Sequence, residues 1–120
     1  MNNYTLVFGA SLKEDRYSNR VIKKLRENSQ EVVAFGLREG IVNNVVVATE
    51  LKAYAHIDTV TLYLSPKRQT AYYKYIISLK PRRVLFNPGT ENSAFVILLE
   101  ANNIKTEVAC TLVLLATNQY

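Results

Sequence analysis

Gly9, Arg38 and the triplet Asn87-Pro88-Gly89 have the types and spacing to hold an anionic ligand against the backbone. Gly9 closes the apolar run Thr5-Leu6-Val7-Phe8, where a side chain would block close approach of a ligand. Downstream, Ser18 or Asn19 is placed to cap a helix whose free N–H groups favour an anion. A dinucleotide fingerprint needs three glycines and this turn has one, so it also reads as an ordinary strand-to-helix connection. Gly36 and Arg38 follow the second apolar run, where an NAD site usually has Asp or Glu to accept from ribose hydroxyls. A cation there suits a phosphate on the adenosine ribose, which points to coenzyme A or NADP more than to NAD. An exposed turn residue accounts for Arg38 equally well. Asn87-Pro88-Gly89 fixes a tight turn that leaves the backbone accessible, with Thr90 placed to cap the next helix; a plain connection explains it too.

Alternating strands and helices must position these groups. Tyr4 to Asn19 reads as strand, glycine turn, polar loop and helix start; the helix continues from Asn19 to Asn28 on Val21, Ile22 and Leu25. Glu31 to Phe35 is a continuous apolar strand, the pattern of a strand covered on both faces. Asn43-Asn44 is a turn signal, with Val45 to Val47 as a short edge piece, and Leu51 to His56 is ambiguous between loop and one helical turn. Thr59 to Leu64 is the third strand. A helix then starts at Ser65-Pro66, buries Tyr72, Tyr75, Ile76 and Leu79, and ends at Pro81. Arg83 to Phe86 is the fourth strand, Glu91 to Ala101 a helix with Phe95, Leu98 and Leu99 inward, and Ile104 to Val108 the fifth strand. Leu112 to Leu115 is a closing helical turn or an apolar cover. The expectation is an α/β fold: one doubly wound, mostly parallel five-stranded sheet with helices on both faces, Rossmann-like, filling residues 1–120 as a single domain.

In such sheets ligands bind beyond the carboxyl ends of the strands, so the loops Gly9 to Ser18, Gly36 to Gly40, Leu64 to Lys67 and Asn87 to Asn92 should converge. The charge of +5 favours anionic partners, yet the cations are spread along the chain and form no basic stripe with interleaved aromatics, so no nucleic-acid surface is expected. One cysteine excludes an internal disulfide, and no run reaches membrane-span length or reads as a secretory leader; a soluble cytoplasmic protein is expected. No nucleophile-base-orienter set can be assembled. His56 precedes the third strand and falls at the opposite end of the sheet, Glu14 and Asp15 read as solvated, Tyr72 and Tyr75 as core, and Tyr73 as surface. Cys110 lies on the ligand side and reads as a small buried hydrophobe, with a mixed disulfide to a thiol ligand as the sharper alternative.

Gly9-Ala10-Ser11, Arg16-x-Ser18 and Asn87-Pro88-Gly89 together resemble the small stand-alone CoA-binding proteins, related to the N-terminal domain of the succinyl-CoA synthetase α subunit. The resemblance spans nearly the whole chain. It implies that Gly9, Ala10, Ser11, Arg16 and Ser18 hold the pyrophosphate region and that Arg38 matches a position near the adenosine end where relatives often carry Lys; Gly36, two residues before it, is counted in the same cofactor-binding set. It implies also that Asn87, Pro88 and Gly89 approach the pantetheine arm, and that Cys110 matches a cysteine found after the last strand in many relatives. The chain departs from the pattern at Leu37, at Thr111 and at Leu64, the last standing where many relatives have an arginine. The implied function is a module binding coenzyme A or acyl-CoA without catalytic machinery. An NADP-type enzyme and an interaction protein that lost its ligand are the alternatives.

Overall fold

The computed structural model describes residues 3–120. Strands β1 (Tyr4–Ala10), β2 (Glu31–Gly36), β3 (Gly40–Val42), β4 (Val45–Ala48), β5 (Ile57–Leu62), β6 (Arg83–Phe86) and β7 (Lys105–Val108) form one sheet in the order β3-β4-β2-β1-β5-β6-β7. All neighbours pair parallel except β3 with β4. The sheet therefore has seven strands, not five. The two extra strands come from the Asn43-Asn44 turn: both residues have positive φ (47° and 66°), the geometry of a tight hairpin. That hairpin pairs Gly40–Val42 with Val45–Ala48, so the expected edge piece at Val45 is an inner strand and β3 takes the edge.

Helices α1 (Tyr17–Glu27) and α5 (Thr111–Ala116) cover one face. Val21, Ile22 and Leu25 of α1 close over Val7, Ala34 and Val47, with Leu115 of α5 in the same cluster. Helices α2 (Pro66–Gln69), α3 (Tyr73–Ser78) and α4 (Ser93–Ala101) cover the other face, over Phe8, Phe35, Leu62 and Phe86. The single helix expected after Ser65 is thus interrupted by a 3₁₀ turn at Thr70–Tyr72. The Tyr72 ring stands edge-on to Phe8 and Phe35, at 5.1 and 5.6 Å, and these two rings stack at 4.7 Å. Seating Tyr72 there outweighs the small cost of one tightened turn. Tyr73, expected at the surface, is half-buried and stacks on Phe95 at 4.2 Å. Leu51 to His56 is irregular chain without a helical turn. None of the described helices is long and apolar enough to cross a membrane.

The amino end of the sheet is tied by ions. Arg82 donates from Nε to Asp58 Oδ1 at 2.8 Å and from Nη2 to Oδ2 at 3.0 Å, and Thr59 Oγ1 donates to Oδ2 at 2.7 Å. Partial burial pushes the Asp58 carboxyl up, but the bonds from Arg82 and Thr59 outweigh it and hold the group below its ordinary value. A depressed folded value means stability that is present above the ordinary carboxylate pKa, about 3.9, and lost as pH falls through the lower folded value. Asp58→Asn is therefore expected to lower the urea midpoint at neutral pH. The difference from wild type should fade in acid, as followed by circular dichroism.

Candidate functional site

The carboxyl ends of β1, β2, β5 and β6 meet where strand order reverses, with β2 on one side of β1 and β5 on the other. Gly9 (φ +101°) sits in a bulge between Phe8 and Ala10, which moves Ala10 into register with Gly36. A Cβ on Gly36 would stand 2.3 Å from Ala10 O, so only glycine lets the two loops touch. Leu12, in the loop after β1, lies against Gly40 and locks that loop to the one bearing Arg38. On the other side Gly9 abuts the Leu64 side chain, while Tyr63 N donates to Phe8 O at 2.9 Å.

Asn87 joins this rim from β6 with its side chain turned inward. Its Nδ2 donates to Thr61 Oγ1 at 2.7 Å and to Leu62 O at 2.8 Å, and its Oδ1 accepts from Thr111 N at 2.9 Å. The buried amide is saturated, so the loop's free surface is Pro88 and Gly89, both exposed. The Gly89 N–H is itself held by Glu91 Oε1 at 2.8 Å. Thr90 does not cap α4 but folds back to donate to Asn87 O; Asn92 is the cap, accepting from Phe95 N at 3.1 Å.

Helix α1 starts two residues earlier than expected, at Tyr17, with Arg16 in the N-cap position. Ser18 and Asn19 are not caps; they lie buried in the first turn. Asn19 Nδ2 donates to Ser11 O at 2.9 Å and so pins the loop after β1, while its Oδ1 is buried without a partner. No side chain caps α1 and no acidic residue stands in its first turn, so the positive end of the helix is open to an anion. Arg16 and Arg38 are exposed and form no ion pair among the described residues.

The structure thus brings Gly9, Ala10, Ser11, Arg16, Gly36, Arg38, Pro88 and Gly89 to one edge, and turns the side chains of Ser18 and Asn87 inward. Cys110 is half-buried just before α5, beside Tyr63, whose phenol burial raises well above its ordinary range. His56 is exposed at the opposite end, its carbonyl accepting from Tyr4 N at 3.0 Å.

One residue of this rim had no sequence signal. Gln69, fully buried, donates from Nε2 to Leu64 O at 2.9 Å and to Thr90 O at 2.8 Å, and its Oε1 accepts from Asn92 Nδ2 at 2.9 Å. The Asn92 amide also reaches Tyr73 Oη at 2.8 Å. A glutamine in the first turn of a short helix looks like a surface residue; only the fold shows it buckling two ligand-edge loops together.

The family model for a CoA binding domain matches residues 3–116. The chain belongs to that family. This CoA binding domain is also similar to solved structures. A protein described only as uncharacterized shares 37% identity at a TM-score of 0.95, covering 100% of this chain and 99% of the other. A hypothetical protein from Pyrococcus horikoshii OT3 shares 24% identity at 0.82, covering 93% and 80%. A Thermus thermophilus protein shares 18% at 0.87, covering 99% and 91%. At these last two identities the likeness is one of fold. No curated protein matches the chain. In this CoA binding domain the loops that carry the expected site stand together at one sheet edge, as a doubly wound sheet demands.

Proposed function

We propose that this domain binds coenzyme A, or an acyl thioester of it, across the carboxyl edge of the sheet, without catalytic machinery of its own. The observation that carries the reading is the family match over residues 3–116. The uncapped start of α1 supplies the physical means. The pyrophosphate lies against the backbone of Gly9, Ala10 and Ser11 and the first N–H groups of α1, with Arg16 adding a guanidinium. Ser18 contributes its backbone N–H alone, since its side chain is buried. Gly36 lets the adenosine end approach, and Arg38 faces the phosphate on the ribose. The pantetheine arm passes Pro88 and Gly89, which Asn87 holds in place from below.

Isothermal titration with CoA, NADP and NAD tests the reading: heat is expected with CoA and none with NAD. Binding of NADP in preference to CoA would overturn it, and silence toward all three would favour an interaction protein on the same fold.

Arg38→Glu is expected to weaken CoA about tenfold, ~1.4 kcal/mol, by turning an exposed attraction into a repulsion. Dephospho-CoA, which lacks the ribose phosphate, should lose at most about twofold. Equal losses for the two ligands, measured in the same titration, would remove Arg38 from its place beside that phosphate.

A further inference from the structure

We infer that two copies of this chain associate edge to edge through β7, joining their sheets into one, with the two α4 helices side by side above the seam. Strand β7 pairs on one side only. Lys105 N and Ala109 N turn inward, donating to Arg82 O and Phe86 O at 3.1 Å each. By the alternation of a strand, Thr106 and Val108 turn their N–H and C=O groups outward, where no strand meets them.

An isologous pair must present a surface complementary to itself, and β7 does so in one register. Antiparallel pairing centred on Thr106 sets Thr106 opposite its own copy, with both outward N–H groups and both outward carbonyls matched. Val108 N–H then meets the carbonyl of Ile104 in the second copy. Lys105 falls directly opposite Glu107 of the second copy, twice by symmetry. Glu107 already has Arg83 Nη1 at 3.7 Å on its inner side and Lys105 Nζ of its own chain at 3.5 Å, so the second copy's lysine would extend these pairs into a row of alternating charge across the seam. Shifting the centre to Lys105 or Glu107 would place like charges face to face.

The flanking surface fits the same partner. Val108 shares a face with Phe86, the face that α4 covers, yet remains 67% exposed. Glu100 Oε2 accepts from Thr106 Oγ1 at 2.9 Å, which places the Val96–Glu100 side of α4 over β7. On the same flank Ile97 is 71% exposed, and α4 (SAFVILLEA) carries apolar residues around most of its circumference, the composition of a helix covered on more than one side. Antiparallel α4 helices would shelter Val96, Ile97 and Val108 of both copies. The two Glu100 carboxylates approach each other near the axis and oppose association, though each is exposed and screened. The opposite edge, β3, has three residues and no charged residue within the strand, so it offers no such pairing.

Sedimentation at protein concentrations up to about 100 µM tests the inference on the whole chain. Wild type should reach twice the chain mass. Thr106→Pro, which removes an outward N–H without touching the bonds to β6, and Lys105→Glu, which sets two carboxylates opposite one another, should each weaken the dimer at least tenfold. Ile41→Lys on the β3 edge should leave it intact. A monomer throughout the concentration range would overturn the inference. So would a dimer that survives Lys105→Glu, or one that Ile41→Lys dissolves. Lys105→Glu keeps the test decisive should the proline variant fail to fold.

Discussion

Gly36→Ala is expected to cost about 3 kcal/mol of stability, roughly 12 °C in the unfolding midpoint of a domain of this size, and to abolish ligand binding with it. The added methyl would stand 2.3 Å from Ala10 O, and the obstacle is backbone, which no rotamer change can move aside. Val47 Cγ1, at 3.1 Å, closes the other direction of retreat. The ladder between β1 and β2 would have to open at its carboxyl end, carrying Gly9 and the loop to α1 out of place. Gly89→Ala is the control: the position has positive φ (91°) but no atom within 4 Å of the added Cβ, so about 1 kcal/mol of backbone strain is expected and no collision. Thermal circular dichroism on both variants checks the contrast. A Gly36→Ala protein that melts within a few degrees of wild type would mean that the ends of β1 and β2 do not touch.

Asn87→Asp is expected to cost about 3 kcal/mol at neutral pH, although it changes a single group on a buried side chain. The acceptor that holds Thr111 N is kept, while the two donations to Thr61 Oγ1 and Leu62 O are lost and an ionised oxygen is set against a carbonyl. Burial and that carbonyl both favour the protonated carboxyl, which regains a donor, so the folded pKa would stand above the unfolded value. The sign follows: the deficit is full above the folded pKa and shrinks as pH falls toward the ordinary carboxylate value, about 3.9. Urea midpoints of wild type and Asn87→Asp should therefore converge in acid. Parallel curves across the pH range would show that the amide's two donations are not what holds the loop.

Much of this architecture was legible because its inner strands are nearly continuous apolar runs. Leu6, Val7 and Phe8, or Val84, Leu85 and Phe86, must be covered on both faces, which leads to a parallel sheet between helices. Gly9 and Gly36 mark the carboxyl ends of β1 and β2; Gly9 was expected to leave room for a ligand, whereas the close approach the structure shows is that of Gly36 to Ala10 O. The β3–β4 hairpin was hidden for a different reason: Gly40-Ile41-Val42 is too short to show a period, and the positive φ of Asn43 and Asn44 is a backbone fact. The caps of α1 and α4 were misplaced for different reasons: α1 starts behind Arg16, a residue with no capping propensity and no side-chain cap bond, while at α4 Thr90, Asn92 and Ser93 all have the capping type and propensity cannot choose among them. Ser18, Asn87 and Gln69 show the same limit at the site. Their types suggest exposed polar groups, yet Ser18 is buried in the first turn of α1, and the inward orientation of Asn87 and Gln69 follows from bonds to residues far along the chain.

The shared cluster of α1 and α5 has a consequence for how the protein is made. Val21, Ile22 and Leu25 emerge early from the ribosome, yet Leu115, which closes their cluster, follows some ninety residues later. The central strand β1 likewise waits for β5, at Ile57–Leu62, before both its edges are satisfied. Such distant pairings raise the entropy lost before contacts compensate, so the nascent chain should carry an unfinished apolar face through most of its translation. Chaperone contact is expected to be longest for this face and to end once Leu115 packs against Val21, Ile22 and Leu25.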